Sequence, residues 1–261
     1  SSAGAHVVRV TVDYFTQVPE SNEGNNTRSE TWPWASSQQD SDGDGLLDVW
    51  ETNGYDHDGN GTIDVNLPAM GANPNKKDIF VEVDWMQDAT RSRKPSNAVI
   101  TRAVAVFANA PTAINLHVDT GQWGGGNALP YDTQLGSVSS GWYQWNEFDA
   151  LKATNFAAAR RPIFHYCIFA HALGDLGSTS GMSRGIPASD FIVSLGLWNG
   201  GSPTDNQQLG TFVHELGHNL GLRHGGNDHN VGKPNFLSIM NYHFQTIGLR
   251  KNNAWGYFDY S

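Results

Sequence analysis

From Lys77 onward, apolar residues fall in two alternating rhythms, short apolar runs of strand length and longer stretches with helical spacing. The run Ile79 to Trp85 predicts a strand. Ser96 then stands where a helix cap belongs, and Val99, Ile100, Ala103, Val104 and Phe107 follow at helical spacing until Pro111 stops the helix. Ile114 to Val118 predicts the next strand. Asn146 to Arg161 predicts a second amphipathic helix, with Phe148, Leu151, Phe156 and Ala159 inward, ended by Pro162. Strands are expected at Ile163 to His171 and at Asp190 to Leu195, then a helix from Asp205 to Leu220 whose buried stripe is Leu209, Phe212, Val213, Leu216 and Leu220. Alternation of this kind implies a mixed sheet backed by helices.

Upstream the pattern changes. His6 to Phe15 alternates as a strand, with Val8, Val10 and Val12 on one side and Arg9, Thr11 and Asp13 on the other. Glu20 to Arg28 is polar and predicts a mobile loop, as does Gly121 to Gly126, which lacks the strand-turn-helix setting of a phosphate cradle. A net charge of −10 excludes general nucleic-acid binding, and the basic clusters Arg91, Arg93, Lys94 and Arg160, Arg161 are expected to be solvated. No apolar run reaches the roughly 18 residues of a membrane span. No secretory signal opens the chain, so Ser1 is expected to begin a processed or trimmed product. Cys167, the one cysteine, lies in an apolar run and is expected to be a buried small hydrophobe.

The chemistry concentrates in His214, Glu215, His218, Gly221 and His224. Residues four apart on a helix share a face, so His214 and His218 can offer nitrogens to one metal. Glu215 is turned aside, placed to reach a water on that metal. Gly221 can adopt positive φ and end the helix, letting the chain return with His224 as third ligand. Three protein ligands leave zinc one open tetrahedral position, which marks a catalytic site. With 10 His and 29 Gly in 261 residues, the five positions coincide by accident with a probability on the order of 10⁻⁴ to 10⁻⁵.

This HExxHxxGxxH run resembles the signature of the metzincin zinc endopeptidases, whose second mark is a methionine turn beneath the metal. Here that turn is 238–242, with Met240 at its centre. Tyr242 stands where the astacin-like and serralysin-like branches carry a tyrosine that approaches the metal or the reaction oxyanion. The resemblance covers about residues 77 to 242. It implies an α/β (α+β) fold: a mixed, mostly parallel twisted sheet backed by helices, an antiparallel edge strand, a zinc helix at about 205–221, and a small irregular C-terminal subdomain. The edge strand is expected within Ser180 to Ile186, where substrate main chain would add as one more strand. The 19 residues after Tyr242 show no closing amphipathic helix, a departure from the family pattern.

A second constellation lies upstream. Asp40, Asp42, Asp44, Asp48 and Glu51 occupy positions 1, 3, 5, 9 and 12 of an EF-hand-like loop, with Gly45 at position 6 and Leu46 offering its carbonyl. Asp56, Asp58, Asn60 and Asp64 repeat the pattern sixteen residues on, with Leu67 in place of the closing acid. Two calcium loops at 40–76, between an N-terminal strand and loop segment (1–39) and a catalytic domain (77–261), are expected to brace the fold structurally. The tripeptides at Asn25 and Asn60 match the glycosylation pattern, the second within a calcium loop.

The expected function is a secreted, calcium-stabilised zinc endopeptidase with no nucleic-acid partner and no membrane span, acting as a monomer on protein or peptide substrates. Zn²⁺ on His214, His218 and His224 would activate water, Glu215 would act as general base and then acid, and Tyr242 would help stabilise the oxyanion. Two alternatives stay open: a zinc hydrolase of a non-protein amide, and a calcium-organised extracellular binding module with a vestigial site. His117, His165 and His171 are expected to be hydrogen-bonded strand histidines, and His229 and His243 flank the site.

Overall fold

The computed structural model describes residues 4–11, 27–34 and 39–260. Strands β1 (Gly4–Thr11) and β2 (Thr27–Trp34) form an antiparallel hairpin pairing Gly4 with Trp34 and Thr11 with Thr27. Thr27 and Arg28, expected in a loop, therefore belong to a strand, because pairing with Thr11 and Val10 recruits them. Residues 12–15 of the expected strand and 20–26 of the expected loop lie outside the described residues.

Two short helices, α1 (Asp48–Asn53) and α2 (Leu67–Met70), precede the long strand β3 (Asp78–Gln87). Helix α3 (Asn97–Ala108) follows, its cap made by Ser96, whose side chain accepts from the Val99 N–H. Next come β4 (Asn115–Asp119), β5 (Ala128–Pro130), the hairpin β6 (Ser137–Ser139) with β7 (Trp142–Gln144), and α4 (Asn146–Asn155). Helix α4 stops six residues short of Arg161. Phe156 leaves the helix in an extended conformation and stacks on Tyr166 with ring centroids 4.7 Å apart, and a 3-10 turn at Ala158–Arg160 completes the segment.

Strands β8 (Phe164–Ala170), β9 (Gly181–Ser183) and β10 (Asp190–Ser194) complete the central sheet, whose order is β4-β3-β8-β10-β9, with β5 also pairing with β3. All its pairings are parallel except that of β9, which runs antiparallel at the edge, so the fold is the expected mixed α/β arrangement with a mostly parallel sheet. Both faces are covered, and period-2 alternation sorts the side chains between them. Val81, Val83, Trp85, Cys167, Phe169, Phe191 and Val193 face α3 and the helix α5 (Asp205–Asn219). Phe80, Met86, Tyr166, Ile168 and Ile192 face α4 and a second core that also takes in Leu46, Val65 and Leu67. The 40–76 segment is thus packed into the same apolar layer as the sheet.

Helix α5 is fixed at its start by Thr204 and Gln207, each side chain bonding the other's backbone N–H. Leu220, expected in its buried stripe, is exposed because the helix has ended by then. After it come the short helix α6 (Tyr242–Gln245) and a hairpin of β11 (Leu249–Lys251) and β12 (Ala254–Tyr257). Asn252 and Asn253 both take positive φ at its turn (51° and 63°), as the tight hairpin turn demands, and the Asn-Asn pair is its sequence signal. In place of a closing helix, the tail buries Phe258 in the α3–α5 core, with Tyr260 packed against it.

Two further expectations are corrected. Arg160 is buried, 6% exposed: it bonds Glu82, Asp119 (2.7 Å) and the Trp123 carbonyl. A guanidinium is carried inward here because the sheet buries two carboxylates that need a partner. The glycine-rich segment is anchored around the same cluster, since Asp119 accepts from the N–H groups of Gly121, Trp123 and Gly125 at 2.9 to 3.1 Å. A side chain at Gly125 would strike Arg160 and Glu82.

Candidate metal centre and acidic loops

Spacing along α5 brings His214 and His218 onto one side, and Gly221 then turns the chain with φ of 95°, as its place after the helix required. His224 returns to the pair, and the three histidines each offer a nitrogen, all within 4.8 Å of one another. His214 Nδ1 lies 2.9 Å from the Ile239 carbonyl and His218 Nδ1 2.8 Å from the Leu222 carbonyl. A carbonyl can only accept, so both Nδ1 atoms carry protons and both Nε2 atoms present lone pairs. His218 Nε2 then approaches His224 Nε2 to 3.0 Å. Burial pushes the His214 and His224 imidazoles down to about 3 and about 4, with neighbouring histidines adding to the effect, and burial lowers His218 too. Neutral imidazoles, with two tautomers fixed by backbone carbonyls, are the donor set zinc takes. These residues fit that metal.

Glu215 lies beside them, 5% exposed, and burial pushes its carboxyl up to about 8 against the opposing effect of a hydrogen bond from the Ser183 N–H. That N–H belongs to the edge strand β9, which places the carboxylate between the histidines and the sheet edge. Gly181 in the same strand must lack a side chain, because a Cβ would come within 2.9 Å of Glu215 and nearer still to Thr211 and the Ile192 carbonyl. Tyr242 opens α6 with its ring 53% exposed, 4.4 Å from the His224 ring and 5.6 Å from that of His214 between centroids. Burial, helped by the charge of Glu215, raises its hydroxyl pKa. His229 is farther out, its ring centroid 6.4 Å from that of His224.

Met240 is buried beneath α5. A Cβ on Gly217 would lie 2.5 Å from its sulfur and 2.7 Å from the Tyr260 ring, so the methionine turn and the tail both press on the helix at that glycine. Tyr260 also donates to the Val213 carbonyl at 2.7 Å. Asn241 ties the turn to the preceding loop, donating to the carbonyls of Lys233 and Phe236 at 2.8 and 3.0 Å. Gly217 and Asn241 are contributions that sequence reasoning missed. Both lie inside recognised motifs, but only the packing assigns them work.

The other expected histidines are hydrogen-bonded as predicted. His117 bonds Asp78 at 2.6 Å, His171 bonds the Tyr131 hydroxyl at 2.7 Å, and His165 accepts from the Asn219 amide at 3.3 Å.

The two acidic loops share one backbone design. Asp40 accepts from Gly43 and Gly45 N–H groups at 2.8 and 3.0 Å, and Asp56 from Gly59 and Gly61 at 2.8 and 2.7 Å. Asp48 accepts from Ser41 N–H (2.8 Å) as Asp64 does from His57 N–H (2.7 Å). Asp40, Asp42 and Asp44 gather their carboxylates within 4.8 Å, as do Asp56, Asp58 and Asp64. Asn60 accepts from the Thr62 N–H (2.8 Å), where Asp44 accepts from that of Leu46 (2.7 Å). At the closing position the loops diverge. Glu51 is buried among carboxylates, and Leu67 is buried in the apolar core. Asp44 and Glu51 meet a residue the sequence reading did not include, Asp78 of β3. Nothing in the sequence around Asp78 marks it, since it reads as the polar first residue of a strand.

Residues 182–260, under a third of the chain, match the model of the peptidase M66 family. A search of curated proteins gave no match. Among solved structures, the chain is similar to archaemetzincin from Methanopyrus kandleri, with a TM-score of 0.37 and 15% identity over 62% of this chain and 81% of that one. The family match and the histidine cluster together support a metal-binding peptidase that acts on protein or peptide substrates. Among the described residues, no helix is long and apolar enough to cross a membrane.

Proposed function

We propose that the chain is a secreted zinc endopeptidase of metzincin type, stabilised by calcium in its 40–66 loops. The observation that carries the catalytic reading is the convergence of three neutral imidazoles, two with their tautomers set by backbone carbonyls, beside the buried carboxylate of Glu215.

His214, His218 and His224 would hold a zinc ion, and the chemistry it would supply there is Lewis-acid polarisation of water and of the scissile carbonyl. Glu215 takes a proton from the attacking water and passes it to the leaving amine nitrogen. Its carboxyl, raised by burial, is suited to both halves of that transfer. The Tyr242 hydroxyl, exposed next to His224, donates a hydrogen bond to the substrate oxygen as charge grows there. Among the described residues β9 is the outer strand of the sheet, and an extended peptide adding at that edge would run past Glu215. The acidic loops support the calcium reading by their repeated turn geometry, and loops of this kind suit the calcium-rich exterior of a cell.

The test is mass-spectrometric cleavage profiling of a mixed peptide library by zinc-loaded wild type, Glu215→Ala and Tyr242→Phe. Glu215→Ala should keep its zinc and lose on the order of 10²- to 10⁴-fold in rate. Tyr242→Phe should lose on the order of 100-fold in kcat with little change in KM. Peptide cleavage by Glu215→Ala at the wild-type rate would remove Glu215 as the base, and a folded, zinc-replete wild type that cuts no peptide would overturn the endopeptidase reading.

A further inference from the structure

We infer that Asp78, the first residue of β3, is a ligand of the cation held by the 40–51 loop, so that one ion ties the loop to the central sheet. This rests on the calcium reading of that loop and adds to it a ligand from 27 residues beyond its closing acid.

Asp44, Glu51 and Asp78 each present a carboxylate oxygen, all within 4.8 Å of one another. Glu51 is 2% exposed and Asp78 4%. Both Glu51 oxygens are buried without a hydrogen-bond partner, as is Asp42 Oδ2. A buried carboxylate with neither oxygen satisfied is costly, and two further carboxylates facing it compound the cost. Neither nearby basic group hydrogen-bonds Glu51. Lys77 Nζ donates to the Gly43 carbonyl at 2.5 Å, and His117 meets Asp78 Oδ1. A cation among the three acids resolves the arrangement. Oxygen donors on a loop that wraps through Gly45 select calcium, with Glu51 offering both oxygens.

The bonds Asp78 already makes suit it to this part. His117 and the Asn73 N–H (2.7 Å) hold its carboxylate, and its own N–H donates to Asp44 at 2.6 Å. Ligating carboxylates are oriented by outer hydrogen bonds of this kind. Through His117 the tie reaches β4, whose Asn115 pairs with Asp78 across the sheet. Among the described residues, the second loop, with Leu67 at its closing position, gathers no acid from outside itself.

The experiment is calorimetric titration of calcium into the zinc-saturated, calcium-stripped full chain, comparing wild type with Asp78→Asn, Glu51→Gln and, at an exposed acid outside both loops, Asp132→Asn. Asp78→Asn and Glu51→Gln should weaken the same site by about 10- to 100-fold, and Asp132→Asn should leave that site at wild-type affinity. Calcium binding by wild type that Asp78→Asn leaves unaltered would overturn the assignment of Asp78 while sparing the loop. No calcium binding by wild type would overturn the loop reading and this one together. Hydrogen exchange on the wild type decides the matter even if the variants misfold: calcium should slow exchange at 78–82 and 115–119, and unchanged exchange there refutes the tie.

Discussion

Gly210 offers a sharp test of how α5 is seated. The helix passes so close to the chain after the methionine turn that a Cβ at Gly210 would lie 1.7 Å from the Gln245 carbonyl oxygen and 3.0 Å from the Phe258 ring. Gly→Ala inside a helix ordinarily stabilises by about 1 kcal/mol. Overpacking costs about 1–3 kcal/mol, and the upper end applies because the obstacle is backbone, which cannot rotate away as a side chain can. Gly210→Ala should therefore destabilise by about 2 kcal/mol net. To relieve the contact, Gln245 must move, and α6 carries Tyr242 with it, so the ring beside His224 should shift as well. Urea unfolding at saturating zinc, in a Glu215→Ala background that suppresses self-cleavage, measures the loss. Gly217→Ala is the comparison, since its nearest obstacle is the movable sulfur of Met240, and its loss should be smaller. A Gly210→Ala protein as stable as its parent, or more so, would refute the seating described.

Two further predictions concern buried charge. Arg160→Met strips the guanidinium from Glu82 and Asp119 and should cost about 3–5 kcal/mol. Burial pushes Glu82 from 4.5 up to about 7 even with Arg160 holding it down, so stability falls as pH climbs between those two values; without Arg160 the carboxyl is held higher still and the fall continues past 7, which makes the loss greater at pH 8 than at pH 5. Equal losses in urea unfolding at the two pH values would contradict this. His165 is pushed down to about 4 from 6.5 by burial. The unfolded chain therefore binds the extra proton first, and the stability due to neutral His165 is complete above pH 6.5 and lost as pH falls toward 4, by up to about 3 kcal/mol. His165→Asn should flatten the stability profile across that interval, and an unchanged slope would show that His165 does not set it.

The candidate metal ligands are legible in sequence because their geometry is local. A four-residue spacing and a helix-ending glycine determine where His214, His218 and His224 can meet, whatever surrounds them. The sheet was legible for a related reason, since strands buried on both faces read as apolar runs. What stayed hidden depends on partners distant in the chain. Arg160 looks like one of two solvated arginines until β3 and β4 bring Glu82 and Asp119 beneath it. Asp78 looks like an ordinary strand opening until the 40–51 loop folds over it. Helix α4 ended early because Phe156 gained more by stacking on Tyr166 than by continuing the helix, a choice no periodicity contains. The β11–β12 hairpin differs, for its Asn-Asn turn is visible in the sequence itself.

The histidine tautomers are set by the carbonyls of Ile239 and Leu222, which every amino acid would supply equally. The orientation of two candidate ligands is consequently decoupled from residue identity at positions 239 and 222. Substitution there can drift as far as packing tolerates without disturbing the donor atoms. An insertion or deletion of one residue in either turn would displace the acceptor itself. The centre is thus tolerant of spelling and intolerant of length, and loop-length variants around it should fail where point variants at the same positions survive.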